Sequence, residues 1–158
     1  MWRFRDDTII GKNHKGTILT ITDRVSLMEW MVKLSSKNAE EVAMKTAGVL
    51  SPYKNHLLTI TANNGKEFAL HRRISRLVKI NFYFAHPYKS SQRGCNENAN
   101  RLIRQYFPKG TDFSTIDENE VLYVQNQLNN RPRKKLGFMT PIEYFSLFRR
   151  NKKVAFVT

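Results

Sequence analysis

Two carboxylates and one amide stand at the ends of candidate elements in this sequence. Asp7 comes just before the apolar, β-branched run Thr8-Ile9-Ile10. Asn63 follows the β-rich run Leu57-Leu58-Thr59-Ile60 and opens Asn63-Asn64-Gly65, a strong turn signal. That places it at the C-terminal end of a strand. Glu97 lies in Gly94-Cys95-Asn96-Glu97-Asn98, ahead of the helical pattern Leu102-Ile103…Tyr106-Phe107, so the first turn of a helix is expected to carry it. Thirty-three residues separate Asn63 from Glu97, room for a helix, a strand and a loop. Carboxylate oxygens suit hard divalent cations such as Mg²⁺. An amide offers a neutral oxygen, and its NH₂ side is a donor that repels cations.

The elements that would position these groups read as follows. Residues 8–11 and 17–22 are short β-branched runs joined by Lys12-Asn13-His14-Lys15-Gly16, a hairpin with a glycine-containing loop. Residues 27–34 form a third strand, completing an antiparallel meander. Ser36 is an expected N-cap for a helix whose apolar face is Ala39, Val42, Ala43, Ala47 and Leu50, ended by Ser51-Pro52. A strand over 57–62, a helix over 66–78 and a strand over 79–85 come next. Residues 86–95 read as a polar loop, 96–107 as the helix carrying Glu97, and 117–128 and 141–150 as two further helices. This order predicts an α/β fold with a five-stranded mixed sheet, a meander plus two further strands, flanked by helices. No repeat or low-complexity linker divides the chain.

At 158 residues the chain is expected to be one domain that buries roughly two-thirds of its unfolded surface. No apolar run approaches the ~18 residues of a membrane span, and residues 1–6 lack a signal-peptide core. A single Cys excludes an internal disulfide and fits a reducing compartment. The charge is the informative quantity. Twenty-seven Lys and Arg against thirteen Asp and Glu give +14, which favours nucleic acid over other partners.

Several strings in order carry a resemblance. They are Asp7-Thr8-Ile9-Ile10-Gly11-Lys12, Asn64-Gly65-Lys66-Glu67-Phe68-Ala69, Tyr83-Phe84-Ala85-His86-Pro87-Tyr88, Gln92-Arg93-Gly94 and Asn96-Glu97-Asn98. Further on come Leu102-Ile103-Arg104-Gln105-Tyr106-Phe107-Pro108-Lys109-Gly110, Leu128-Asn129-Asn130-Arg131-Pro132-Arg133-Lys134 and Thr140-Pro141. Over nearly the whole chain the sequence resembles the catalytic domain of a DDE transposase of the insertion-sequence-thirty type. This is a branch of the retroviral-integrase superfamily with a ribonuclease H-like fold.

The resemblance implies cleavage and strand transfer at DNA element ends by two divalent ions, Mg²⁺ or Mn²⁺, held by three acids. Those positions map onto Asp7, Asn63 and Glu97. The middle one is Asn where the family pattern has Asp, so one ligand charge is missing and impaired or lost catalysis is expected. The resemblance also implies a bacterial, cytoplasmic, nucleoid-associated protein that acts as a homo-oligomer on DNA. The family's upstream helix-turn-helix region has no counterpart before the first strand, and specific end recognition is expected to be absent.

Other groups have plainer readings. Asp23 ends the second strand and could lie across the hairpin from Asp7, but a charge closing a strand is the simpler account. Glu67 reads as a helix cap. Asp6, adjacent to Asp7, must point to the opposite face of a strand. Expected DNA contacts are Lys66, His71, Arg93, Arg101 and Arg104 around the site, and the basic run Arg131, Arg133, Lys134 and Lys135 held open by Pro132. Phe82, Phe84, Tyr106, Phe145 and Phe148 read as core rather than stacking platforms. Cys95 has no partner pattern for nucleophilic use. Three functions are therefore in view: a transposase core, a non-catalytic DNA-binding remnant, and a ribonuclease H-type nuclease. The strings around Glu97 and Arg131 favour the transposase over the nuclease.

Overall fold

The computed structural model describes the backbone of residues 2–85 and 90–154, with side chains over 2–85 and 97–147. Five strands form one sheet in the order β3-β2-β1-β4-β5. They are β1 (Trp2–Ile10), β2 (Thr17–Asp23), β3 (Glu29–Leu34), β4 (Leu57–Ala62) and β5 (Asn81–Phe84). β1, β2 and β3 pair antiparallel, while β4 joins β1, and β5 joins β4, in parallel. The helices are α1 (Ala39–Leu50), α2 (His71–Val78), α3 (Ser90–Tyr106), α4 (Glu118–Asn129) and α5 (Pro141–Val154). The expected five-stranded mixed sheet flanked by helices is what the chain adopts.

Strand alternation sorts the interior into two layers. One face sends Trp2, Phe4, Leu19, Ile21 and Ile60 into a core with Val42 and Ala43 of α1 and Ile74 and Val78 of α2. The other sends Ile9, Ile18 and Met31 against Leu102 and Ile103 of α3 and Val121, Val124 and Leu128 of α4. Every residue of β2 is buried, because both faces of this strand are covered. Phe145 of α5 stacks on Trp2 at a centroid distance of 4.2 Å, which docks that helix on the start of β1. Gly16 has φ +71°, and a Cβ there would stand 2.6 Å from the Phe113 carbonyl carbon. The hairpin loop is thereby held against the segment between α3 and α4, where the Lys12 N–H also donates to the Thr111 carbonyl at 2.8 Å.

Several sequence expectations need correction. β1 begins at Trp2 instead of residue 8, because Arg5 and Asp6 are buried inside it, a placement that charge patterning argues against. The N-cap of α1 is Asn38, whose side chain accepts the Glu41 N–H at 2.7 Å. Ser36 instead donates to the Glu41 carboxylate. The helix expected over 66–78 is divided into a 3₁₀ turn (Lys66–Phe68) and α2. Helix α3 starts at Ser90, not Asn96, so Glu97 is its eighth residue, past the first turn. Asp23 pairs with Phe4 while Asp7 pairs with Thr20, so the two acids do not face each other. Asp23 Oδ2 accepts the Ser26 N–H at 2.9 Å and its hydroxyl at 2.6 Å, holding a turn.

Edge strand β3 is closed by α4 rather than by another strand. The Asn129 side chain accepts the Glu29 N–H and donates to the Glu29 carbonyl, both at 2.8 Å, and Gln125 accepts the Met31 N–H at 2.8 Å. Asn129→Leu strands both buried backbone groups of Glu29. An expected loss of about 2–4 kcal/mol should be read from the urea midpoint at unchanged m-value.

Candidate functional site

Asp7 lies on the central strand, with its side chain on the α3 face of the sheet. β4 stops at Ala62, opposite Asp6, so Asn63 leaves the strand end beside Asp7. The turn that follows is fixed locally: Asn63 Oδ1 accepts the Gly65 N–H at 3.1 Å, an Asx turn. Asn63 Nδ2 donates to Asp7 Oδ1 at 2.8 Å. Both ends of this amide are thus committed, and exchanging its oxygen and nitrogen would break both bonds.

From α3, Glu97 and Asn100 face the same place. Asp7, Asn63, Glu97 and Asn100 line one cleft of about 370 Å³ together with Arg5, Thr61, Ala62 and Ala85. Asn100 Nδ2 donates to Asp7 Oδ2 at 3.0 Å, so each carboxylate oxygen of Asp7 accepts from an amide. Asn100 Oδ1 is buried with no hydrogen-bond partner among the described residues. Reading the sequence missed Asn100 and Arg5. The signal was present: Asn100 is one helical turn beyond Glu97, and Arg5 shares a strand face with Asp7.

Glu67 is not a solvent-facing cap. Its carboxylate folds over Gly65, where a Cβ would stand 2.3 Å from Oε2, and Oε1 accepts the Thr8 hydroxyl at 2.8 Å. Lys37 of the α1 approach lies 3.3 Å away. Burial opposes the Glu67 charge, yet its own N–H, the Thr8 hydroxyl and Lys37 together hold its pKa below the ordinary value. The acid therefore ties the turn bearing Asn63 to the strand bearing Asp7, from the opposite face of the sheet.

Asp6 points away from the cleft into the α1 layer, as strand alternation requires, and is fully buried. Burial raises its pKa from 3.8 to about 8; the nearby Thr46 hydroxyl opposes that rise and the Asp7 charge adds to it. Neither carboxyl oxygen is in hydrogen-bond geometry with a described residue.

The expected DNA contacts are distributed unevenly. Lys66, Arg101, Arg131, Lys134 and Lys135 are exposed; Arg101 donates to Asn98 at 3.1 Å and Arg131 to Gln105 at 2.9 Å. His71 packs against Phe82 and Phe84, its Nδ1 3.2 Å from the Phe68 carbonyl. Arg104 reaches the Ile10 carbonyl at 3.1 Å and lies over the Phe113 ring. Arg133 turns inward from the basic run to donate to the Leu128 carbonyl at 2.9 Å. The side chains of Arg93, Cys95 and Phe148 lie outside the described residues.

Two hard ions need several anionic oxygens close together. Here the cleft offers Asp7 and Glu97, and among the described residues no three His, Cys, Asp or Glu side chains converge. Asn63 turns its donor, not its oxygen, toward Asp7. The donor set present does not fit a pair of divalent cations.

Comparison with known proteins agrees with this architecture. The chain is 52% identical to the transposase for insertion sequence element IS4351 of Bacteroides fragilis, over 99% of this chain and 49% of that protein. It is 40% identical to transposase InsI for insertion sequence element IS30A of Escherichia coli K12, over 85% of this chain and 36% of that protein. The chain thus spans half or less of the length of these relatives. The catalytic core domain of BIV integrase superposes with a TM-score of 0.75 at 19% identity, over 96% of this chain and 97% of that one. No protein-family model matches. The chain is a homologue of insertion-element transposases with the fold of an integrase catalytic core.

Proposed function

We propose that this homologue of insertion-element transposases is the catalytic-core portion of such a transposase, of the insertion-sequence-thirty type, and that it acts on DNA ends and target DNA. The observation that carries the reading is the convergence of Asp7 from the central strand, Asn63 from the end of β4 and Glu97 from α3 on one cleft. The chemistry implied for that cleft is phosphoryl transfer between DNA strands. Asn63 occupies the middle of the three positions, so cleavage and strand transfer are expected to be impaired or absent in the chain as written. DNA is the macromolecular partner, through the +14 charge and the exposed Lys66, Arg101, Arg131, Lys134 and Lys135. Assembly as a homo-oligomer on DNA in the bacterial cytoplasm belongs to the same reading.

One observation favours a second reading, a DNA-binding remnant without chemistry. Both oxygens of Asp7 are already satisfied by the amides of Asn63 and Asn100. Mn²⁺-dependent strand transfer on a supercoiled plasmid separates the two. Activity in Asn63→Asp but not in the unsubstituted chain supports a core with one altered ligand. Inactivity of both, with salt-sensitive DNA binding retained, supports the remnant.

A further inference from the structure

A second basic surface lies away from both the acid cleft and the 131–135 run. Helix α2 carries Ile74 and Val78 inward, while Arg73 is drawn to Glu40 of α1 at 2.6 Å. Arg72 and Arg76, one turn apart, are left exposed on another flank. Lys79 follows in the left-handed conformation, φ +54°, and is exposed as well. These three cations line an open groove of about 680 Å³ with Asn81, Phe82 and Tyr83 of β5. The lining contains no acid, and among the described residues none of the three cations is ion-paired.

The groove wraps the outer edge of β5, the last strand of the sheet. Tyr83, 51% exposed, pairs in register with Thr61, which pairs with Arg5. That row lies on the face that carries Asp7. Two residues beyond Tyr83, roughly 7 Å along an extended chain, Ala85 lines the acid cleft. Cations and an exposed aromatic ring therefore lead along one strand directly to the candidate site.

We infer that the α2–β5 groove is a path for a DNA strand entering or leaving the cleft, with phosphates at Arg72, Arg76 and Lys79 and an unpaired base stacked on Tyr83. Three cations without acid partners among the described residues, in a chain of +14, are the electrostatic footprint of a polyanion. An aromatic face among them is the platform on which single-stranded bases stack. An acidic peptide would satisfy the charges but leave the Tyr83 face unused. The inference rests on the reading of the chain as a DNA-handling core.

The test measures binding of a labelled single-stranded oligonucleotide to the whole chain across a salt series, alongside a duplex and polyglutamate. In Arg72→Gln/Arg76→Gln/Lys79→Asn the slope of log affinity against log salt should fall by about two, near 0.7 for each lost phosphate contact. Tyr83→Leu should weaken single-strand binding about tenfold at every salt, leaving that slope unchanged. All four positions are exposed or half-exposed, and an unchanged melting temperature shows that folding is intact. If the unsubstituted chain binds DNA and neither variant departs from it, the groove assignment falls while the core reading stands. If binding is lost only on neutralising Lys134 and Lys135, it falls likewise. Polyglutamate displacing the oligonucleotide, with Tyr83→Leu silent, overturns it in favour of an acidic protein. A chain that binds no DNA removes the groove and the core reading together.

Discussion

Asn63→Asp is expected to lower the melting temperature of the metal-free protein by about 6–12 °C, and Mn²⁺ is expected to restore most of the loss. At present the Asn63 amide donates to Asp7 at 2.8 Å. A carboxylate in its place removes that bond and sets two anions in contact, a repulsion on the order of a few kcal/mol in a half-buried site. A loss near 3 kcal/mol moves the melting point of a chain this size by that interval, at roughly 2–4 °C per kcal/mol. A cation bound among the three carboxylates of that variant relieves the repulsion, and an excess of about a hundredfold over its dissociation constant returns about 2.7 kcal/mol. The unsubstituted chain should respond little to Mn²⁺, because a cation must first displace Asn63 and Asn100 from Asp7. Equal Mn²⁺ stabilisation of both proteins would show that the amide does not block the site. Calorimetry with and without chelator decides between these outcomes without requiring any catalysis.

The part of this site that could be read in the sequence is the part built on local signals. Asn63-Asn64-Gly65 announces a strand end and a turn, and the observed β4 has the expected bounds at 57–62. Helix α4 at Glu118–Asn129 likewise falls within a residue of the expected 117–128, and its start is held by the reciprocal box of Asp117 and Glu120. What escaped is non-local. β1 extends back to Trp2 because its Arg5 and Asp6 are tolerated in the interior. No alternation rule places a charge pair inside a central strand. The first two turns of α3 contain Gly94 and polar residues without an apolar stripe, so helical periodicity is invisible there. The bonds from Asn100 to Asp7 and from Thr8 to Glu67 join residues far apart in sequence, which spacing cannot disclose, although one helical turn from Glu97 already put Asn100 on the cleft face. The fold explains why Asn63 and Glu97 meet Asp7: parallel pairing of β4 beside β1 brings one, and α3 crossing the same face brings the other.

Raising the pH from about 5 to 8 should destabilise this protein, and Glu29→Gln should remove a large part of that dependence. Glu29 is buried at the edge of the sheet, accepting the Thr22 hydroxyl at 2.7 Å, with Oε1 lacking a hydrogen-bond partner among the described residues. Burial raises its pKa from 4.5 to about 8; the Thr22 bond and the Arg133 charge act against that rise, and the Asp7 charge adds to it. A carboxyl with a raised folded-state value holds a proton that the unfolded chain has released. Between the two values the native state binds more protons, so stability falls as pH climbs. Each such group contributes up to about 1.4 kcal/mol per pH unit across that window. Asp6, pushed to about 8 mainly by burial, acts with the same sign. Glutamine keeps an oxygen for Thr22 and never ionises, so it should reduce the slope by about half and leave the Asp6 share. Urea midpoints in chelator at four pH values measure both slopes. Parallel loss of stability in the two proteins would mean that Glu29 is ionised throughout, paired with Arg133.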